Sequence, residues 1–157
     1  MTSRIRYSKA APGVYRAMQG LEDYVHGCGL EPDLLELVRI RASQLNGCAF
    51  CLDMHTKDAR ARGESEQRLY LLDAWREAPF YSERERAALT WAEAVTLLPD
   101  REVADEVYDE ARQHFSDEEL ANLTLAIVAI NGWNRLNVAF RTPAGTYQPR
   151  ARKDGDV

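Results

Sequence analysis

Apolar side chains recur every three or four residues along most of the chain, a spacing that gives an α-helix one apolar face. No stretch alternates apolar and polar residues as a half-buried strand does. Prolines, glycines and serine caps divide the pattern into seven segments, at about 12–27, 32–45, 48–63, 65–77, 82–98, 100–115 and 117–140. The pattern therefore predicts an all-α fold, a single helical domain of about seven helices.

The segment 117–140 is expected to be the central helix, because its first half is apolar on nearly every side. The residues after it, 141–157, contain two prolines, two glycines and several late charges. They predict an extended C-terminal arm on a domain that comprises residues 1–157, and this arm should fray toward Val157.

The composition limits the classes of function. The chain has 157 residues, enough for one domain with a substantial apolar core. Its net charge of −5 argues against nucleic acid or an anionic membrane as a partner. The N-terminus lacks the apolar region of a secretory signal, and the most apolar run, 120–130, is shorter than the roughly 20 residues that span a bilayer. Three cysteines do not fit a secreted disulfide scaffold, so we expect a cytoplasmic protein.

Two cysteines and a histidine lie close together in "LNGCAFCLDMH", at the start of the third predicted helix. Cys48, Cys51 and His55 are separated by three and four residues, which places them on one face of that helix. A pair three residues apart in a first turn has its Cα atoms about 5 to 6 Å apart, within the range of a disulfide. The sulfurs can therefore bond reversibly, and His55 is near enough to exchange a proton with Cys51 directly or through a water.

A carboxylate on the preceding helix is expected to face this group. The break between the two helices is only two residues long, so the second and third helices should pack along each other and bring Glu36 into range of His55. The neighbours of Glu36 in the chain are apolar, so its carboxylate is either at an edge in water or buried for a purpose. If it is buried, His55 is the expected partner.

Four interpretations of these residues compete. The first is structural, with small buried cysteines and a hydrogen-bonded histidine. The second is zinc, which needs four ligands, or three and a water, and would have to add Cys28, His26 or Glu36 to the set. The third, haem attachment, requires a histidine directly after the second cysteine, where Leu52 stands, and is excluded. The fourth is a redox dithiol, which we favour because it uses every residue of the set without a missing ligand, metal or cofactor.

Two other features receive structural interpretations. Polar side chains form a stripe on the last predicted helix, at Asn131, Asn134, Arg135 and Asn137. Such a stripe indicates capping or a subunit contact more often than catalysis, and a position near the dithiol pocket is the alternative. Cys28 is expected to be a buried thiol.

The set Glu36, Cys48, Cys51 and His55, on two consecutive helices, resembles the alkylhydroperoxidase D-like (AhpD-like) proteins of the carboxymuconolactone decarboxylase-like family. The likeness includes "ELVRIRASQLNGCAFCLDMH", "TKDARARG" and the late "NGWNRLNVAFRTPAG", and covers most of the chain. It implies an AhpD-like fold and a peroxidase that reduces hydroperoxides with a dithiol donor, in antioxidant defence.

The resemblance also implies a role for each residue. Cys51 would be the peroxidatic thiol, Cys48 the resolving thiol, and Glu36 with His55 a proton relay. The helix dipole would instead favour Cys48 as the thiol of lower pKa, whereas proximity to the base favours Cys51, and we follow proximity. Phe50 departs from the pattern, because a relative has an additional relay histidine at that position.

Partners are implied in the same way. An external dithiol, a lipoyl-bearing protein in some relatives, would reduce the disulfide again. Short members of the family tend to form trimers or hexamers, which predicts a homo-oligomer. Two alternatives stay open: a non-catalytic helical oligomer that uses its dithiol for metal binding or redox sensing, and a protein disulfide reductase.

Overall fold

The computed structural model of the protein describes residues 2–149, with the side chain of Asp100 left out. Its helices are α1 Tyr7–Ala10, α2 Pro12–His26, α3 Pro32–Leu45, α4 Ala49–Arg62, α5 Glu66–Leu71, α6 Glu83–Leu97, α7 Asp105–His114 and α8 Asp117–Phe140. Two 3₁₀ turns, Leu72–Ala74 and Pro99–Arg101, follow α5 and α6. No strand occurs in this part of the chain, and the predicted all-α fold is confirmed.

The predicted helix starts with serine caps are confirmed. The side chain of Ser82 accepts a hydrogen bond from the backbone N–H of Glu85, whose carboxylate accepts one from the backbone N–H of Ser82. Ser116 and Glu119 make the same reciprocal pair at the start of α8. Both capping boxes satisfy backbone donors that the first turn of a helix leaves unpaired.

Two helices are shorter than predicted. The segment 65–77 leaves the α-helix after Leu71, and Arg86 of α6 donates to the carbonyl groups of Arg76, inside the predicted helix, and of Ala78, just after it. The helix predicted from residue 100 begins at 105, because Leu98 and Arg101 have φ angles of 44° and 68°. An α-helix cannot continue through this left-handed backbone conformation.

The additional helix α1 was not predicted, since its four residues have no buried side chain. It lies near the end of α8, because the backbone N–H of Arg4 donates to the carbonyl of Phe140 at 3.0 Å. Counting α1, the C-x-x-C lies at the start of the fourth α-helix rather than the third.

The most deeply buried helix is α3, in which all ten residues from 34 to 43 are buried. It packs against α4, α6 and α8. One side of α3 contributes Leu34, Leu35 and Val38 to one apolar cluster, and another side contributes Leu37 and Ile40 to a second. The segment expected to be central, 117–140, forms α8, which packs against α2, α3, α4, α6 and α7. It is less completely buried than α3, since it has outward positions such as the half-exposed Val128.

The turn between α3 and α4 positions the C-x-x-C. Gly47 has a φ angle of 63°, which glycine adopts without the steric penalty of other residues. The backbone N–H of Cys48 then donates to the carbonyl of Ser43 at 3.0 Å, and Cys48 becomes the N-cap of α4. This tight turn brings the first residues of α4 directly against the C-terminal part of α3.

The segment after α8 crosses α4 without regular secondary structure. The backbone N–H of Gly145 donates to Asp53 at 2.9 Å, and the Lys57 ammonium donates to the carbonyl of Tyr147 at 2.9 Å. The last part of the predicted arm, including Val157, lies outside the described residues. None of the helices described is long and apolar enough to cross a membrane.

Candidate active site

The two cysteines of the C-x-x-C form a disulfide at the start of α4. Their Cα atoms are 5.4 Å apart, within the range expected from the sequence. Both residues are almost completely buried, in a small apolar cluster with Ala42 and Ile130 and, at its edge, Phe50 and Trp133. The backbone N–H of Cys51 points to the Cys48 sulfur at 3.4 Å, so the start of the helix provides that sulfur with a donor.

The predicted contact between Glu36 and His55 is confirmed. Glu36 Oε2 and His55 Nδ1 are 2.9 Å apart, and both residues are buried. Burial raises the pKa of Glu36, but its interactions with His55 and Arg39 outweigh burial and hold the pKa below the ordinary value. An ionised Glu36 only accepts hydrogen bonds, so Nδ1 carries a proton and Nε2 is the ring nitrogen that remains for a proton transfer.

Glu36 belongs to a longer chain of charges. Arg39 donates from one guanidinium nitrogen to Glu36 Oε1 and from the other to Glu22 Oε2, each at 2.9 Å. The indole N–H of Trp133 donates to the second oxygen of Glu22 at 3.0 Å. Arg39 thus holds the carboxylate that orients His55, and Arg39 is itself held by Glu22 of α2, which Trp133 of α8 contacts in turn.

The sulfur of Cys51 has a polar neighbour on α8. Asn137 Nδ2 lies 3.5 Å from the Cys51 sulfur, and the hydroxyl of Tyr7 donates to Asn137 Oδ1 at 3.1 Å. Of the two interpretations of the polar stripe, a position near the dithiol is therefore the one that applies to Asn137. Capping fits Asn131 and Asn134 better, since both accept from the side chain of Asn46 in the turn before the C-x-x-C.

A cavity of about 580 Å³ opens beside these residues. Glu36, Cys51 and His55 line it, whereas Cys48 is not among the described residues of its wall. Much of the remaining wall is aromatic or apolar, with side chains from both ends of the chain: Ile5, Tyr7, Tyr15, Phe50, Met54, Trp133, Pro143 and Tyr147. The cavity therefore extends to one of the two cysteines, Cys51, and its wall suits a small apolar molecule.

A second carboxylate, Asp58, lies in the same cavity. The hydroxyl of Tyr147 donates to it at 2.8 Å. Burial, and to a smaller extent the charge of Glu36, raise the pKa of Asp58 above its ordinary value.

Sequence reasoning missed Tyr7, Glu22 and Arg39 at this site. Glu22 lies on the polar face of an amphipathic helix and Tyr7 precedes the first predicted helix, so neither had a signal in the pattern. Arg39 had one, since a charged residue at that position of α3 shares the apolar surroundings that drew attention to Glu36. The thiol of Cys28, expected to be buried, is partly exposed.

The zinc interpretation requires at least three protein ligands around one point. Among residues 2–149, no group of three His, Cys, Asp or Glu side chains is arranged so that it could hold a metal ion.

Comparison with known proteins gives a family and several relatives. Residues 12–94 match the model of the carboxymuconolactone decarboxylase family. The chain is 44% identical to the uncharacterized protein YdfG of Bacillus subtilis, over 93% of this chain and 99% of that protein.

Two solved structures are similar in fold. A protein of unknown function from Agrobacterium tumefaciens, for which an antioxidant defence role of the AhpD type has been suggested, is 46% identical with a TM-score of 0.89, over 93% of this chain and 100% of its own. The debrominase Bmp8, in complex with 2,3,4-tribromopyrrole, is 22% identical with a TM-score of 0.78, over 88% of this chain and 74% of its own. The chain therefore belongs to the carboxymuconolactone decarboxylase family and is an AhpD-like member of it.

Proposed function

We propose that the protein is a thiol-dependent peroxidase that reduces organic hydroperoxides through a Cys48–Cys51 dithiol and disulfide cycle. The observation that carries this proposal is the wall of the cavity, which Cys51 shares with an imidazole held by a buried carboxylate. A thiol close to a base that an acid orients is what activation of a sulfur nucleophile requires. The suggested antioxidant role of the Agrobacterium relative supports the same chemistry.

The reaction begins with the reduced dithiol. His55 takes the proton of Cys51, directly or through a water, and Glu36 stabilises the imidazolium. The thiolate attacks one oxygen of the peroxide, the O–O bond breaks, and Cys51 becomes a sulfenic acid. The leaving alkoxide takes a proton from His55 and departs as an alcohol, which returns the imidazole to its neutral form.

The cycle is completed by the second cysteine. The thiol of Cys48 attacks the sulfenic sulfur of Cys51, and the disulfide forms with release of water. An external dithiol then reduces the disulfide by thiol exchange and leaves as a disulfide itself. The assignment of Cys51 as the attacking residue is supported by its place in the cavity wall beside His55, and that of Cys48 by its place behind it.

The substrate and the partners follow from the surroundings of the sulfur. Phe50 lines the cavity where a relative has a relay histidine, so one proton path is missing and an apolar surface replaces it. We therefore propose an organic hydroperoxide in preference to hydrogen peroxide. The reductant is proposed to be a small or lipoyl-type dithiol, and the assembly a homo-oligomer, with light scattering as its test.

Peroxide consumption by reduced variants tests the function and the two roles. Cys51→Ser should abolish turnover of cumene hydroperoxide, while Cys48→Ser should still form a sulfenic acid that dimedone traps. Cys28→Ser serves as the matched control and should retain turnover, because Cys28 lies outside the cavity wall as described. Sulfenate trapping in Cys51→Ser and none in Cys48→Ser would reverse the roles, and equal trapping in both variants would contradict the assignment of Cys51 as the attacking thiol.

The alternatives have separate outcomes. Stoichiometric zinc in protein purified under reducing conditions, together with no consumption of any peroxide, would favour a metal-binding or sensing oligomer. Rapid reduction of a protein disulfide with no peroxide turnover would favour a disulfide reductase. Both cysteines are buried and Cys51 lines the cavity, so a small or narrow dithiol enters more readily than the folded protein that carries a disulfide substrate.

A further inference from the structure

Each sulfur of the disulfide has a different hydrogen-bond donor. The sulfur of Cys48 faces a backbone N–H at the start of α4, which any residue at position 51 would provide. The sulfur of Cys51 faces the side-chain amide of Asn137, which lies 86 residues further along the chain, on α8. The second donor therefore depends on the identity of a particular side chain.

The orientation of that amide is set by a third residue. An amide group has a donating and an accepting end, and only its N–H₂ end can stabilise a negative sulfur. The hydroxyl of Tyr7 donates to Asn137 Oδ1 at 3.1 Å, which turns the nitrogen toward Cys51. Burial raises the pKa of Tyr7, so its phenol keeps the proton that it donates.

We propose that Asn137 is a catalytic residue whose amide stabilises the Cys51 thiolate, and that Tyr7 is a positioning residue that keeps this amide in its donating orientation. This inference rests on the proposed function for its biological meaning, but its physical content is a property of the reduced thiol. Hydrogen bonds to charged acceptors are stronger than those to neutral ones, so Asn137 binds the thiolate more tightly than the thiol or the disulfide. The amide also gives the Cys51 thiolate a polar contact, which the phenyl ring of Phe50 in the same cavity cannot provide.

The same helix contains a matched control. Tyr24 donates to Asn122 Oδ1 at 3.1 Å, the same distance as in the pair at the cavity. The amide nitrogen of Asn122, however, donates to the backbone carbonyl of Cys28. The two pairs therefore share the Tyr–Asn distance, and both asparagines are buried on α8. They differ in the atom that the amide nitrogen faces, and Tyr24 is more exposed than Tyr7.

Other charged or titratable groups share the cavity with Cys51 and also act on its thiol. They come from the N-terminal segment, α2, α3, α4 and the C-terminal arm: Arg6, Tyr7, Tyr15, Glu22, His26, Glu36, Arg39, His55, Asp58 and Tyr147. All of them remain in a variant of Asn137, so a change in the thiol pKa of that variant reports on the amide.

The experiment measures the pKa of Cys51 itself. In a Cys28→Ser, Cys48→Ser background Cys51 is the single thiol, and the pH dependence of its alkylation by iodoacetamide gives its pKa. Asn137→Leu should raise the pKa of Cys51 by roughly one, which lowers the thiolate fraction near neutral pH about tenfold. This is the size expected for the loss of a hydrogen bond to a charged group. Tyr7→Phe should lower it about two- to threefold, because the amide remains but is free to turn.

The control variants and a second substitution decide the result. Asn122→Leu and Tyr24→Phe should leave the alkylation profile unchanged. If Asn137→Leu does not fold, Asn137→Ala, which fits the site without new contacts, replaces it, and Tyr7→Phe gives an independent reading. An unchanged profile in a folded Asn137 variant would overturn the inference.

Failure of the proposed function gives a different pattern. If the protein consumes no peroxide but Asn137→Leu still shifts the alkylation profile, the contact between Asn137 and the thiolate is supported and only the peroxidase proposal fails. If the protein consumes peroxide but Asn137→Leu leaves the alkylation profile unchanged, the peroxidase function is supported and the role of Asn137 is overturned.

Discussion

Two buried arginines on α3, Arg39 and Arg41, build charge clusters of similar composition on different sides of the helix. They are two positions apart, which is roughly 200° of rotation around an α-helix. Arg39 lies between Glu22 and Glu36, and Arg41 lies between Glu93 and Asp73. A tryptophan N–H completes each cluster, from Trp133 to Glu22 and from Trp75 to Glu93.

The clusters differ in what lies at their ends. On the Arg39 side, Glu36 continues to His55 and to the cavity. On the Arg41 side, the second oxygen of Glu93 pairs with the cation of Arg76. Both glutamates have a lowered pKa despite burial that raises it, since their donors outweigh burial. A perturbed carboxylate alone therefore does not mark an active site, and the neighbouring imidazole and the open cavity do.

The largest expected effect separates the two glutamates by activity. Glu36→Gln should reduce peroxide turnover by roughly 10²-fold or more, because an amide neither stabilises the imidazolium nor holds Nδ1 protonated as a carboxylate does. Glu93→Gln should leave turnover within about twofold. Steady-state assays of both purified variants check this, and an equal loss in the two would remove the distinction between the clusters.

The order is reversed for stability. Glu93 accepts from Arg41, Trp75 and Arg76, and a glutamine in its place removes the carboxylate that pairs with Arg76 and leaves Arg41 with the exposed Asp73 alone. We expect Glu93→Gln to lower the free energy of unfolding by about 2–3 kcal/mol, and Glu36→Gln to lower it by less. Urea denaturation at neutral pH measures both. A larger loss for Glu36→Gln would mean that the cavity-side cluster also dominates stability.

The contrast also explains how far the sequence alone leads. Helical spacing predicts most of the helices, because apolar positions at intervals of three and four encode a buried face independently of its partner. The same intervals place Cys48, Cys51 and His55 together, since all three lie on one helix. Leu98 and Arg101 adopt left-handed conformations that no residue type at those positions signals, so the start of α7 was misplaced.

Residues that reach the site from other helices were harder to predict. Glu36 was found because a charge among apolar neighbours is unusual, and Arg39 and Arg41 share that property without sharing a role. Glu22 and Asn137 lie on helices whose polar positions all look alike in the sequence. Which of those positions meets the dithiol depends on how the helices pack, and the periodicity of a single helix contains no information on that.

The acid dependence of stability should distinguish carboxylates of lowered and raised pKa. For Glu36 and Glu93 the folded pKa is below the unfolded one, about 4.3, so their stabilisation is complete above that pH and is lost as the pH falls through the folded pKa. Each Gln variant should therefore lose less stability than the wild type between about pH 5 and pH 3. Urea unfolding at several pH values in this range measures the slope.

Asp58 provides a control of opposite sign. Its folded pKa is raised, so its contribution is complete below the unfolded pKa, about 3.9, and is lost as the pH rises through the folded value. Asp58→Asn should lose more stability than the wild type over the same fall in pH. A shallower slope for Asp58→Asn would contradict the assignment of a raised pKa.

The smallest expected effect concerns the two tryptophans. Trp75 is almost completely buried, whereas Trp133 is partly exposed, contacts the ring of Tyr15 and lines the cavity. Trp75→Phe should lower the free energy of unfolding by about 1–2 kcal/mol through lost packing and a lost hydrogen bond, with no change in KM. Trp133→Phe should lower it by less than about 1 kcal/mol, but should raise KM for a bulky aromatic hydroperoxide such as cumene hydroperoxide more than KM for hydrogen peroxide. Such a difference between the two KM values would assign Trp133 to the surface that binds substrate, because loss of a purely structural tryptophan should change KM for both substrates alike.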